Sequence, residues 1–243
     1  MQKRILASAL AAALLGSGAA LAEDSPFSAN VSVVSDYAFR GISQTDQRPA
    51  LQGGFDYAHD SGFYVGFWAS NVSWLSDLEK GLDVNSSSSL ETNLYAGYAT
   101  ELGPIGVDVG LLQYYYPGDF DSEWKAATGS KSPNTLEAYV GLSWEFLSFT
   151  YSHTLSSHQF GVEDAKNSGY YDLGVAYEIL DGLTLDAHYG YSDTRNADNY
   201  EDWKLGATYS YGGFDFGLHY VDTDIKDNRL ADDRFILSVS RSF

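Results

Sequence analysis

Apolar and polar positions alternate with a period of two along most of this chain. Val31, Val33, Tyr37 and Phe39 share one face, and Ser32, Asp36 and Arg40 the other. Across Gly41–Thr45, Leu51, Phe55 and Tyr57 oppose Gln52, Gly54 and Asp56 in the same way. That spacing puts alternate side chains on opposite faces of a sheet. Continued to the C-terminus, the pattern predicts twelve strands: 29–40, 49–59, 63–72, 90–100, 105–116, 134–144, 147–155, 169–178, 183–192, 201–210, 214–223 and 233–243.

The connections alternate strictly in length. Long ones cover 41–48, 73–89, 117–133, 156–168, 193–200 and 224–232. Short ones are Asp60-Ser61-Gly62, Glu101-Leu102-Gly103-Pro104, Glu145-Phe146, Asp181-Gly182 and Tyr211-Gly212-Gly213, most with the Gly and Asp of tight hairpins. An even strand count, segregated loop lengths and both termini at the short-turn end describe an all-β, transmembrane, antiparallel up-and-down β-barrel. A soluble sandwich or barrel gives no reason for that segregation.

Aromatic positions support the barrel. Gly54/Tyr57, Gly141/Trp144, Gly174/Tyr177 and Gly206/Tyr209 repeat Gly-x-x-aromatic before short turns, and Phe63, Phe149 and Phe214 lie near the starts of the strands that follow. An offset of three places glycine and aromatic on opposite faces, so these rings make an outward girdle at the short-turn end. Tyr37, Phe39, Tyr151, Tyr171, Tyr191, Trp203 and Tyr220 are candidates for the girdle at the other end.

The N-terminus refines this picture. Lys3 and Arg4, the apolar run Ile5–Leu15 and Ala20-Leu21-Ala22 have the form of a secretory signal peptide over residues 1–22, leaving 23–243 as the barrel. The apolar run is shorter than the ~20 residues that cross a bilayer. The chain has no cysteine and a net charge of −19, and cleavage would remove two of its bases. Nucleic acid is excluded as a partner, because such binding relies on Lys and Arg neutralising phosphates. The last strand, Phe235 to Phe243, ends on a terminal aromatic and resembles the assembly signal of bacterial outer-membrane proteins; Arg241 departs from that pattern.

Motifs in the first third carry a family resemblance. Asp36-Tyr37-x-Phe39-Arg40-Gly41-x-Ser43-Gln44-Thr45, then Pro49-Ala50-x-Gln52-Gly53-Gly54-Phe55-Asp56-Tyr57, then Gly66-x-Trp68-x-Ser70-Asn71-Val72 resemble the TorF family of outer-membrane porins. The resemblance implies the porin class, with no established substrate. Beyond Val72 the likeness is one of architecture.

Strand parity selects the pore-lining candidates: Asp36, Arg40, Asp56, Trp68, Glu91, Tyr95, Asp108, Glu137, Tyr139, Asp172, Asp186, Lys204, Asp215 and Arg234. Tyr64, Glu178, Asp202 and a set of inward glycines join them. Acids exceed bases on this face, and small inward glycines favour a narrow hydrated pore over a plugged interior. The predicted function is passive diffusion of small hydrophilic solutes, with cation preference and no cofactor, in the bacterial outer membrane. Its partners are membrane lipid, lipopolysaccharide and, through the strand ending in Phe243, the barrel-assembly machinery; long loops face outside and both termini the periplasm.

Two rivals stand beside this reading. One is a plugged structural or adhesive barrel whose loops bind a partner. The other is an outer-membrane lipid hydrolase, for which His59-Asp60-Ser61 is the sole His-x-Ser match, in a short turn at the wrong end; His153 lies near the right end but precedes Thr154. Acids cluster in the loops at Asp119, Asp121 and Glu123 and at Asp222, Asp224, Asp227, Asp232 and Asp233 without a complete calcium-loop pattern. They read as solvated loops, bridged loosely by divalent ions to lipopolysaccharide phosphates.

Overall fold

The computed structural model describes residues 25–76, 88–120, 122–130 and 132–243. The expected signal peptide lies outside the described residues. Twelve strands close into one antiparallel barrel. Around the wall run β1 (Phe27–Val34), β4 (Ala50–Ala58), β5 (Phe63–Asn71), β6 (Leu90–Leu102), β7 (Ile105–Tyr115) and β8 (Thr135–Trp144). They continue with β9 (Leu147–Thr154), β10 (Gly169–Leu180), β11 (Leu183–Asp193), β12 (Tyr200–Tyr211), β13 (Phe214–Thr223) and β14 (Arg234–Ser242). β1 seals the ring against β14, with Val31 opposite Arg241 and Val33 opposite Val239. Two further strands, β2 (Ala38–Phe39) and β3 (Ile42–Ser43), pair only with each other. A short helix, α1 (Ser122–Thr128), lies in the connection from β7 to β8.

Burial runs opposite to that of a water-soluble protein. Leu51, Phe55, Val65, Leu94, Leu173, Leu205 and Leu237 are exposed on the outside, while Glu91, Asn93, Asp108, Glu137 and Asp202 are buried inside. Closure satisfies every wall strand on both edges, as strands in lipid require. Trp144, Tyr177 and Tyr209 are exposed outside next to the short turns, with Phe63 and Phe214 beside them. At the other end Tyr151, Tyr171 and Tyr191 form a row with centroid spacings of 4.8 and 6.3 Å. Arg241 lies over Phe214 and Phe243, at 5.1 and 5.0 Å from their centroids, so ring faces accept its charge.

One prediction needs correction. The strand expected over 29–40 leaves the wall after Val34, and the chain from Ser35 turns into the barrel. Tyr37 and Phe39 therefore belong to the interior, not to an outer girdle: Tyr37 packs on Trp68 at 5.5 Å, and Phe39 on Tyr114 at 5.5 Å. Arg40 (φ 47) and Gly41 (φ 79) form the tip of the small hairpin. Alternation looks the same in a wall strand and in an inward hairpin, so parity alone did not separate them.

Candidate functional site

The connection from β1 to β4 lies across the long-loop mouth. Its side chains reach strands on several sides of the ring. The Tyr37 hydroxyl donates to Glu91 on β6 at 3.1 Å. The Arg40 guanidinium donates to Glu137 on β8 at 2.7 Å and covers the ring of Tyr170 on β10 at 4.3 Å. Gly41 lies against Asp202 on β12 and Thr223 on β13; a Cβ here would come within 2.7 Å of the Asp202 Cβ and nearer still to Thr223. Arg234 on β14 donates to the Gly41 carbonyl at 2.9 Å and to Asp36 at 2.5 Å. Asp36 also accepts from Ser43 at 2.6 Å and Thr45 at 3.0 Å, which ties the hairpin together.

Two charges thus enter the barrel paired. Burial alone would lower the Arg40 pKa, but Glu137 outweighs it and holds the guanidinium charged above its ordinary range. Burial, reinforced by Glu91, lifts the phenols of Tyr37 and Tyr116 well above their usual value. They remain O–H donors, and Glu91 accepts from both and from Asn93 at 2.9 Å.

Below the hairpin, the half of the interior beside β4 to β8 is filled. Tyr95 donates to Asp56 at 2.5 Å, and Tyr64 donates to Asp108 at 2.7 Å and pairs with Tyr139. Tyr95, Tyr64 and Tyr139 occupy the space against Gly66, Gly97 and Gly110, where an added Cβ would collide with them. The inward glycines at these positions are seats for tyrosines and do not widen the lumen.

The wall from β10 to β13 is polar and wetter. His188 bridges Asp172 at 2.8 Å and Asp202 at 3.0 Å. Asp186 pairs with Lys204 at 3.1 Å and His219 at 2.8 Å. Asp172 and Lys204 keep 30% and 37% of their side-chain surface exposed, against 1% for Glu137. Asp215 accepts from Ser210 at 2.5 Å near a short turn.

The candidates therefore divide into three groups. Asp36, Arg40 and Arg234 hold the hairpin; Asp56, Trp68, Glu91, Tyr95, Asp108, Glu137 and Tyr139 pack in the filled half or against the hairpin; Asp172, Asp186, Lys204 and Asp215 line the wetter wall. Sequence reasoning missed His188 and His219, although their parity with Asp186 and Asp215 respectively was available. It also missed Tyr114, Tyr116 and Tyr170, which share the inward parity of Asp108 and Asp172 and join the hairpin cluster, and Phe160, which lies in a long connection and gave no signal until the hairpin was placed.

Above the hairpin a cavity of about 490 Å³ is bounded by Phe39, Arg40, Trp74, Tyr116, Phe160 and Tyr200, among others. Elsewhere, His59 and Ser61 are 2.7 Å apart in an exposed short turn, where Ser61 N also donates to the ring; the pair serves the turn. His153 is bonded to the Tyr151 hydroxyl at 2.9 Å. Asp222 and Asp224 accept from the backbone N–H groups of Thr223 and Glu201, both at 2.8 Å. Among the described residues no three His, Cys, Asp or Glu side chains gather as a metal site; Asp121 and the side chain of Glu123 lie outside them.

The family described as "Bacterial protein of unknown function (Gcw_chp)" matches residues 19–243. No curated protein matches the chain. The fold is similar to that of a KdgM porin, with a TM-score of 0.56 and 10% identity over 89% of this chain and 99% of that one. A KdgM porin in complex with disordered oligogalacturonate gives 0.55 and 12%, over 89% and 99%. The NanC porin gives 0.53 and 14%, over 88% and 98%. At these identities the likeness speaks for the twelve-stranded barrel.

Proposed function

The chain belongs to the Gcw_chp family, and from its barrel we propose that it is an outer-membrane channel for passive diffusion of small hydrophilic solutes. The observation that carries this reading is the polar wall of β10 to β13. It runs along the interior of a closed, apolar-belted barrel, beside a half that is packed with tyrosines. Water and small solutes pass along that wall and under or past the hairpin, which acts as the constriction. The resemblance to TorF porins agrees with this class. In this reading the barrel sits in the bacterial outer membrane, with long loops outside and both termini in the periplasm. Its acidic loops meet lipopolysaccharide through divalent ions, and the strand ending in Phe243 engages the assembly machinery.

The channel prefers cations. Arg234, Arg40 and Lys204 offset Asp36, Glu137 and Asp186. Along the wetter wall Asp172 and Asp202 share His188, and Asp215 accepts from a neutral hydroxyl, that of Ser210. The balance is negative, and low-dielectric walls focus it. Oligogalacturonate, the ligand in the KdgM complex, is a polyanion and suits such a lumen poorly. Reversal potential across a tenfold KCl gradient tests the preference. It should favour K⁺ at low salt and weaken as screening shortens from ~30 Å at 0.01 M to ~3 Å at 1 M. An unselective or anion-selective pore at 0.1 M KCl and pH 7 would overturn it.

A second reading draws on the hairpin itself. If it never leaves the mouth, the molecule is a plugged barrel whose loops bind a partner, and it passes no current.

A further inference from the structure

The cavity over the hairpin has chemistry that ion diffusion leaves unused. Its volume of about 490 Å³ falls in the ~300–1,000 Å³ range of small-molecule pockets. Phe39, Trp74, Tyr116, Phe160 and Tyr200 supply five rings to its walls. The rings brace one another: Phe39 and Phe160 meet at 5.3 Å and 71°, Trp74 and Tyr116 at 5.4 Å and 90°. Tyr116 sends its hydroxyl to Glu91 at 2.9 Å, so its contribution to the cavity is ring surface.

Ring faces carry the negative side of the aromatic quadrupole, and a cation within ~6 Å of a centroid is attracted to them. This cluster already holds one. The Arg40 guanidinium lies 4.8 Å from the Phe39 centroid and 5.8 Å from that of Phe160, and Glu137 offsets its charge. The other charged side chain of the lining is Asp198, which is exposed. Around the cavity stands a chain with a net charge of −19, whose field draws cations and repels anions.

The geometry points to a binding site for a small organic cation of the quaternary ammonium type, held by the rings of this cavity with Asp198 at its rim. Among the described residues the lining has one carboxylate, Asp198, and no cluster of His, Cys, Asp or Glu that would strip an inorganic cation of its water. A neutral solute of the same shape gains nothing from the field. The inference rests on the channel reading only for its role, which is to load solute at the entrance; binding itself needs no conduction.

The test uses the full barrel in detergent and isothermal titration calorimetry. The probes are choline, its uncharged isostere 3,3-dimethylbutan-1-ol, and glucose. Choline should bind about tenfold more tightly than the isostere, with no measurable glucose binding. Trp74→Leu and Phe160→Leu should each weaken choline at least about threefold. Asp198→Asn, at an exposed position that leaves the packing intact, should also weaken it, with an effect that shrinks in high salt. Equal binding of choline and isostere, binding of glucose alone, or no binding of choline would overturn the inference, as would an Asp198→Asn protein with unchanged affinity. Potassium conductance of the same preparation separates the two claims. A silent barrel that binds choline defeats the channel reading alone, and a conducting barrel that ignores choline defeats this inference alone.

Discussion

Arg40→Ala should open the mouth. In the structure, Arg40 and Glu137 form an ion pair at 2.7 Å with side-chain exposures of 9% and 1%. Removing one member of a buried pair costs ~3–5 kcal/mol, because the remaining charge is stranded. Among the described residues Glu137 would keep Tyr114 and Gln159 as donors, each at 3.4 Å, which is too long to replace a guanidinium. The change also removes the stacking of the guanidinium on Phe39 and Tyr170, worth ~0.5–2 kcal/mol. The hairpin keeps the Asp36–Arg234 tie at 2.5 Å and so remains attached at its base. A shift of ~3 kcal/mol in favour of the released hairpin changes the in-to-out ratio by about a hundredfold, at 1.4 kcal/mol per factor of ten. Planar-bilayer recording should therefore show larger or longer openings for Arg40→Ala than for the wild type, with Arg40→Lys between them. The folded barrel is verified by its altered mobility on unboiled gels. A folded Arg40→Ala protein with wild-type conductance and wild-type dwell times would refute the hairpin as the constriction.

Other outcomes follow from the same geometry. Gly41→Val should also displace the hairpin, since its Cβ would overlap Thr223 and Asp202; openings measured in the same bilayer assay should lengthen. Leu185→Arg, at an outward position that is 44% exposed, should lower stability in lipid by ~2–4 kcal/mol if it lies near the bilayer midplane, whereas the inward Thr184→Arg should change conductance more than the denaturant midpoint. Asp172→Asn removes a carboxylate from the wetter wall, where its side chain is 30% exposed, and should shift the reversal potential toward zero without a change in gel mobility.

The wall of the barrel was legible in the sequence because each strand carries one apolar and one polar face. Ranges such as 214–223 agree with the structure at both ends, and others, such as 169–178 against Gly169–Leu180, miss by a residue or two. Loop lengths gave the even count and the closure. The interior was less legible, because parity says which way a side chain points and not what meets it. Gly66, Gly97 and Gly110 suggested space, but a tyrosine from a neighbouring strand fills each one. Tyr37 and Phe39 continued the alternation of β1, so the pattern did not mark the departure from the wall after Val34. His188 and His219 had the right parity, yet their roles depend on acids brought from other strands.

Single-channel current through the purified protein in a planar bilayer tests the central claim most directly. The cysteine-free chain allows one thiol to be added at Thr208, on the inward face of β12 opposite Gly217. The account predicts discrete current steps in the wild type. It also predicts that Thr208→Cys steps shrink when a positively charged, membrane-impermeant methanethiosulfonate reagent is added, while Leu205→Cys on the lipid face does not respond. Silence from the wild type, Arg40→Ala and Gly41→Val alike, with all three folded, would contradict the account.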